Sequence, residues 1–130
     1  GPDRARLARS YPDCHFLGYK FGRDLARHVA GADVFVFPSR TDTFGIVMLE
    51  AMACGVPVAA YPVTGPIDVV QPGTTGCLDT DLTNACSRAL ELNRQDCRQY
   101  AESRSWGRST RQFISNLAPR ATCPAGAKAA

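Results

Sequence analysis

The segment from Val34 to Gly55 constrains the fold more than any other part of the sequence. It opens with V-F-V-F, a short run of residues that favour β-structure, and Pro38 follows directly. A continuous apolar run of this kind is typical of a strand buried in a parallel sheet. After a polar turn, an apolar stretch of helical length leads to Gly55. The pattern predicts a strand, a loop and a helix, with the loop at the carboxyl end of the strand.

One carboxylate, Glu50, interrupts the apolar helix. A helix that is apolar on every face is a buried helix. Burying a bare carboxylate is costly unless hydrogen bonds satisfy it, so Glu50 needs a donor from the protein or from a ligand. Two interpretations are open: a core glutamate bonded to backbone or arginine, or an acid that binds a ligand. The apolar neighbours are Ile46, Val47, Met48, Leu49, Ala51, Met52 and Ala53.

The loop before this helix carries a second carboxylate, Asp42, eight residues before Glu50. In open α/β sheets, ligands bind at the carboxyl ends of the strands, and amides at a helix start attract phosphate. We expect Asp42, the amides of residues 43–46 and Glu50 to face one small anionic polyol.

The span V-F-V-F-P-S-R-T-D-T-F-G-I-V-M-L-E-A-M-A-C-G-V-P-V-A-A, from Val34 to Ala60, resembles the donor-binding segment of glycosyltransferase family 4. Members of that family are retaining enzymes with the two-lobed GT-B fold. The resemblance continues more loosely from His15 to Ser105. The family's hallmark is two acids with seven residues between them, here Asp42 and Glu50. The first is usually Glu, so Asp42 is a departure that shortens this side chain by one methylene.

The resemblance implies a role for each acid. Glu50 would bind the ribose hydroxyls of a nucleotide-sugar donor, such as a UDP- or GDP-sugar, and Asp42 would bind hydroxyls of the transferred sugar. We group both as the catalytic pair, although they grip hydroxyls rather than act as general acid and base. No metal or other cofactor is required if amides and cations neutralise the diphosphate. A hydrolase with paired carboxylates is the rival chemistry. Loop residues placed at the donor are Thr43, Phe44, Gly45 and Ile46.

Four further positions are candidate donor contacts. Tyr19 and Lys20 follow the first predicted strand, where the family forms its nucleobase pocket; the alternative is a solvated turn. Gly65 lies in the loop after the next strand, near the donor sugar in relatives, and fits a tight turn equally well. Arg40 would neutralise the diphosphate or pair with Asp42.

Alternating strand and helix patterns predict an α/β fold, a Rossmann-like parallel sheet with helices on both faces, as a partial GT-B C-terminal lobe. The predicted domain covers residues 1–118 and is truncated at its N-terminal side, and 119–130 form a disordered tail. The predicted strands are 15–18, 34–37, 57–61 and 76–78. The predicted helices are 24–30, 45–54, a short one from Pro66, 81–93, 95–103 and 106–117.

Composition narrows the class of protein. The chain has 130 residues, 45% hydrophobic and 21% charged, which is ordinary for one globular domain. Its net charge is only +3, and its arginines lie at helix-surface spacings, which favours a solvated face over a nucleic-acid patch. Six cysteines without a C-x-x-C pair argue against zinc. Without a signal peptide, they indicate a reduced, cytoplasmic protein.

A two-lobed transferase needs two domains, so we expect a fragment that lacks the N-terminal acceptor lobe and is inactive alone. The expected function is donor binding in a retaining glycosyltransferase that moves a sugar to an unidentified acceptor hydroxyl. The alternative is a stand-alone nucleotide-sugar-binding module. Peripheral membrane contact would belong to the missing lobe. An unpaired edge at 34–37 predicts either pairing with 14–17 or a dimer through that edge.

Overall fold

The computed structural model describes residues 3–41 and 45–104. Within these ranges, three short strands form one parallel sheet in the order β1-β2-β3. Phe35 pairs with Val58 in the first ladder, and Val58 pairs with Gly76 in the second. The strands are β1 (Phe35–Phe37), β2 (Val58–Ala60) and β3 (Gly76–Leu78).

The described ranges also contain six helices, and three of them begin where the sequence supplies a start signal. Pro66 occupies the first position of α4, where its missing N–H has no cost. The Asp81 carboxylate caps α5 by accepting from the Thr83 amide at 2.9 Å, and Asn93 caps α6 by accepting from the Gln95 amide at 2.8 Å. The helices are α1 (Arg4–Ser10), α2 (Gly22–Ala30), α3 (Ile46–Ala53), α4 (Pro66–Val69), α5 (Leu82–Ala89) and α6 (Arg94–Ser103).

Both faces of the sheet are covered. Side chains alternate along β2, so Val58 and Ala60 face one side and Ala59 faces the other. The first side packs against α3, α4 and α6 through residues such as Met52. The second side packs against α5 through small residues such as Ala85. The prediction of a Rossmann-like parallel sheet with helices on both faces is confirmed.

Two features fix helix α6 to the core on the side of the sheet that faces α3 and α4. Cys97 is fully buried, and burial raises the pKa of its thiol above the usual value. The Tyr100 hydroxyl donates to the Val69 carbonyl at 3.0 Å, which joins α6 to the end of α4.

The beginning of the chain differs from the prediction. Residues 15–18 are irregular rather than a strand, so the predicted pairing of 14–17 with 34–37 is wrong. The Phe16 carbonyl instead accepts from the Arg4 guanidinium at 2.7 Å, which links the irregular segment to α1, a helix that we did not predict. Among the described residues β1 pairs only with β2. A dimer through its free edge stays a prediction.

The predictions for the later helices have mixed outcomes. Helix α5 ends at Ala89, four residues before the predicted end. The predicted helix at 106–117 and the tail at 119–130 lie outside the described residues. In the part of the chain that is described, no helix is long and apolar enough to cross a membrane.

Candidate functional site

The loops that follow the three strands lie at one edge of the sheet because the strands are parallel. The loop after β1 leads into α3, the loop after β2 into α4, and the loop after β3 into α5. This carboxyl edge is where open α/β sheets bind ligands. Gly45, Arg40 and Gly65 all lie in these loops, as the sequence predicted.

Helix α3 begins immediately after Gly45, which is buried and adopts φ 65°. The Gly45 carbonyl accepts from the Met48 amide at 2.9 Å, and among the described residues no side chain caps the helix start. The left-handed turn at this position favours glycine, and a Cβ there would also displace the Met48 side-chain methyl. The first amides of a helix have no partner within it, so those at Ile46 and its successor are available to an anion.

Asp42, Thr43 and Phe44 lie outside the described residues. Their placement at the donor therefore stays a prediction. Ile46 is exposed at the first position of α3.

Glu50 is exposed, and this corrects the argument from sequence. Helix α3 buries one face, formed by Met48, Ala51 and Met52. Its other face, which carries Val47 and Glu50, is open to solvent. A solvated carboxylate keeps its hydration, so it has no obligatory protein partner. The interpretation of Glu50 as a buried core acid is wrong.

The open face of α3 borders a cavity of about 460 Å³ that α2 closes on the opposite side. This volume is within the range of small-molecule sites, and most of its lining is apolar, as in such sites. Glu50 is the single charged side chain among the described residues of its wall. The lining residues are Gly22, Leu25, Ala26, Val29, Phe35, Val47, Glu50, Ala51, Ala53 and Cys54.

Tyr19 and Lys20 do not line this cavity. Tyr19 is 82% exposed, stacks on Phe21 with ring centroids 6.5 Å apart, and lines a separate groove beside α1. The Lys20 ammonium lies 3.1 Å from the Asp24 carboxylate, within an exposed pair at the start of α2. Of residues 19–22, only Gly22 lines the cavity.

Arg40 has a partner that the sequence did not reveal. Its guanidinium carbon lies 4.1 Å from the ring centroid of Tyr61, the residue that follows β2. This cation–π contact joins the loops after β1 and β2 and holds the cation at the carboxyl edge. Gly65, four residues after Tyr61, is buried with φ 95° and directly precedes α4.

Asp79, directly after β3, is an acid at this edge that sequence reasoning missed. Its carboxylate accepts from the Asp81 amide at 3.0 Å and from the Asn84 side chain at 2.5 Å. The bond from the Asp81 amide, aided by Asn84, lowers the pKa of Asp79 below its usual value. The signal was its position after an apolar strand and two residues before a cap. Across residues 3–41 and 45–104, no three His, Cys, Asp or Glu side chains converge as metal ligands.

Comparison with known proteins agrees with this geometry. The family model described as "Glycosyl transferases group 1" matches residues 1–92. A GDP-mannose-dependent alpha-mannosyltransferase of Mycobacterium tuberculosis is 44% identical over 78 residues, or 60% of this chain and 21% of that protein. A D-inositol 3-phosphate glycosyltransferase of Geodermatophilus obscurus is 38% identical over 98 residues, or 69% of this chain and 22% of that protein.

A third relative has a different named activity. An N-acetyl-alpha-D-glucosaminyl L-malate synthase of Bacillus anthracis is 37% identical over 100 residues, or 71% of this chain and 26% of that protein. The chain therefore spans about a quarter or less of the length of these relatives.

The parallel sheet and the loops at its carboxyl edge define a Rossmann-like α/β domain with a candidate ligand site at α3. The match over residues 1–92 makes the family explicit: the chain belongs to the group 1 glycosyl transferases. The resemblance to glycosyltransferase family 4 is confirmed.

Proposed function

We propose that this chain is the donor-binding portion of a retaining glycosyltransferase, which moves a sugar from a nucleotide-sugar to an acceptor hydroxyl. The observation that supports it most is Glu50, the one carboxylate among the described residues that line a mostly apolar cavity, one wall of which is the helix that follows Gly45. A ribose presents two adjacent hydroxyls, and a single carboxylate accepts from both. An apolar wall suits the faces of a nucleoside.

The diphosphate of the donor would lie at the start of α3. The free amides there favour an anion, and the helix dipole adds to this preference. Arg40, held on Tyr61 at the same edge, supplies a cation for the leaving group. Departure of a nucleoside diphosphate builds negative charge on its phosphate oxygens, and positioned amides and cations stabilise that charge without a metal.

The transferred sugar would extend toward Asp42 and Gly65. Asp42, Thr43 and Phe44 are assigned to it through the family's motif, in which the first acid binds sugar hydroxyls. Gly65, buried at the start of α4, presents backbone rather than a side chain to this end of the site. Tyr19 and Lys20 are assigned to the base end because their segment leads to Gly22 on the cavity wall.

The names of the relatives identify the donors to test first. The mycobacterial protein is GDP-mannose-dependent, so GDP-mannose is the first donor, followed by UDP-sugars. Titration calorimetry on the 130-residue chain measures affinity for GDP, UDP and the corresponding sugar nucleotides. We expect Glu50→Ala to weaken nucleotide binding about tenfold or more, because a charge-assisted hydrogen bond to ribose is lost.

A matched control separates this effect from a general change of surface charge. Glu91 is also an exposed glutamate, but it follows α5 and does not line the cavity. Glu91→Ala should leave the affinity unchanged. A folded wild-type chain that binds no nucleotide would refute the proposal. Hydrolysis by this chain does not separate the transferase from the binding module, because the donor-binding portion alone is expected to be inactive. A gene that encodes no acceptor lobe together with this chain would favour the stand-alone binding module.

A further inference from the structure

Helix α2 is attached to the rest of the fold at one end. None of its residues is buried, and it makes only slight contact with the other helices and strands. Its apolar residues face α3 across the cavity instead of packing on it, and Leu25 is still 42% exposed. Hydrophobic burial therefore does little to fix the position of this wall.

The attachment is made by Arg94, more than sixty positions later in the chain. Its two terminal guanidinium nitrogens donate to the Ala30 carbonyl at 2.7 Å and to the Ala32 carbonyl at 2.8 Å. The Asp33 carboxylate lies 3.9 Å from the same guanidinium. The last carbonyls of a helix have no partner within it, and a cation there also complements the helix dipole. One side chain thus satisfies the end of α2.

Arg94 is itself held firmly. It is the first residue of α6, whose Cys97 is fully buried in the core. Its backbone lies against the turn after α3, where a Cβ on Gly55 would come within 3.2 Å of the Arg94 carbonyl oxygen. Arg94 therefore connects α2 to the ends of α3 and α6.

We propose that Arg94 is a positioning residue that sets the separation of α2 from α3, and with it the width of the cavity around Glu50. Its effect on nucleotide binding rests on the function proposed above. Without the guanidinium, the weak bond of the Cys54 thiol to the Ala26 carbonyl at 3.8 Å is the one side-chain hydrogen bond left between α2 and the end of α3 among the described residues, and α2 moves away from α3. Lysine cannot replace arginine fully, because a single ammonium lacks the planar fork that reaches two carbonyls.

Hydrogen exchange read by mass spectrometry on the ligand-free chain tests the attachment. In Arg94→Ala, peptides that cover 22–30 should exchange about tenfold faster, because two charge-assisted hydrogen bonds are lost. Peptides that cover β2 and β3 should not change. Arg98→Ala is the matched control, since Arg98 lies one turn along α6 and pairs only with Glu102 within that helix, at 3.1 Å. Arg94→Lys should be intermediate.

Two exchange results would overturn the proposal. Unchanged exchange of 22–30 in Arg94→Ala would show that the bonds do not hold α2. Equal acceleration in all peptides would show that Arg94 stabilises the fold generally.

Nucleotide affinity measured on the same variants tests the consequence for the site. We expect Arg94→Ala to bind more weakly by about threefold to tenfold at an unchanged melting temperature, with partial rescue in Arg94→Lys. Unchanged affinity despite faster exchange of α2 would overturn the link to the site. If the wild-type chain binds no nucleotide, the proposed function fails, and the exchange data alone decide the role of Arg94.

Discussion

Two regions of this molecule differ in how far their side chains are buried. Residues 3–33, the open segment, hold two helices and contribute no buried residue. Residues 34–41 and 45–104, the sheet segment, supply all the fully buried side chains among the described residues, including Met48, Met52 and Val58. The candidate cavity lies where the two segments meet. One of its walls is therefore preformed by packing, and the other depends on a few polar contacts.

The comparison is tested most strongly by truncating one apolar side chain in each segment. Met48 is fully buried, and Met48→Ala should lower the free energy of unfolding by about 3 kcal/mol through lost transfer energy and a residual cavity. Leu25 is on the open segment, and Leu25→Ala should cost less than about 1 kcal/mol. Urea denaturation followed by circular dichroism measures both. Equal losses would mean that the two segments are packed alike.

A second pair of variants compares polar contacts. Tyr100→Phe removes the hydrogen bond to the Val69 carbonyl in the sheet segment and should cost about 1 kcal/mol. Lys20→Met removes the exposed pair with Asp24 in the open segment and should cost less than about 0.5 kcal/mol. The same denaturation experiment applies. A larger loss for Lys20→Met would show that the open segment depends on its ion pairs.

Glu50 lies at the boundary and should be neutral for stability. Because its side chain is solvated, Glu50→Ala should change the free energy of unfolding by less than about 0.5 kcal/mol. A thermal melt of wild type and variant checks this before any binding is measured. A collapse of the fold in Glu50→Ala would restore the interpretation of this residue as a structural acid.

The smallest effect concerns acid pH. The pKa of Asp79 is lowered in the folded state, so its contribution to stability is present above the unfolded pKa and is lost as pH falls through the folded value. Asp79→Asn should therefore flatten the fall of the melting temperature below about pH 4. Asp68→Asn, which removes an exposed acid from α4, is the control. If the melting temperature of Asp79→Asn falls with pH as it does in the wild type, the lowered pKa of Asp79 does not contribute to stability.

The sheet segment could be predicted from sequence because its strands are short apolar runs bounded by proline or glycine. The same logic failed for the orientation of α3. Helical periodicity identifies the exposed face by its polar residues, and α3 has only one, Glu50. That residue did mark the open face, but seven apolar neighbours obscured it. The cation–π contact of Arg40 with Tyr61 depends on the parallel register of two strands, which composition does not encode.

The open segment was predicted least well because it has too few apolar residues to form a pattern. Helix α1 has one large apolar residue, Leu7, and buries nothing, so no periodic signal exists. The run at His15 looked like a strand, but no ladder in the described residues accepts it. Arg94 could not be connected to α2 from sequence, because the contact spans more than sixty residues and ends on backbone carbonyls.

Strand β2 is only three residues long, yet each of them is fully buried. Val58 and Ala60 belong to the core cluster beneath α3 and α6, while Ala59 belongs to the cluster beneath α5. Because both core clusters include residues of β2, unfolding of this strand disrupts both. The two helical layers should therefore unfold together in one cooperative transition. This one short strand thus couples α3, which carries the candidate site, to α5 on the opposite face of the sheet.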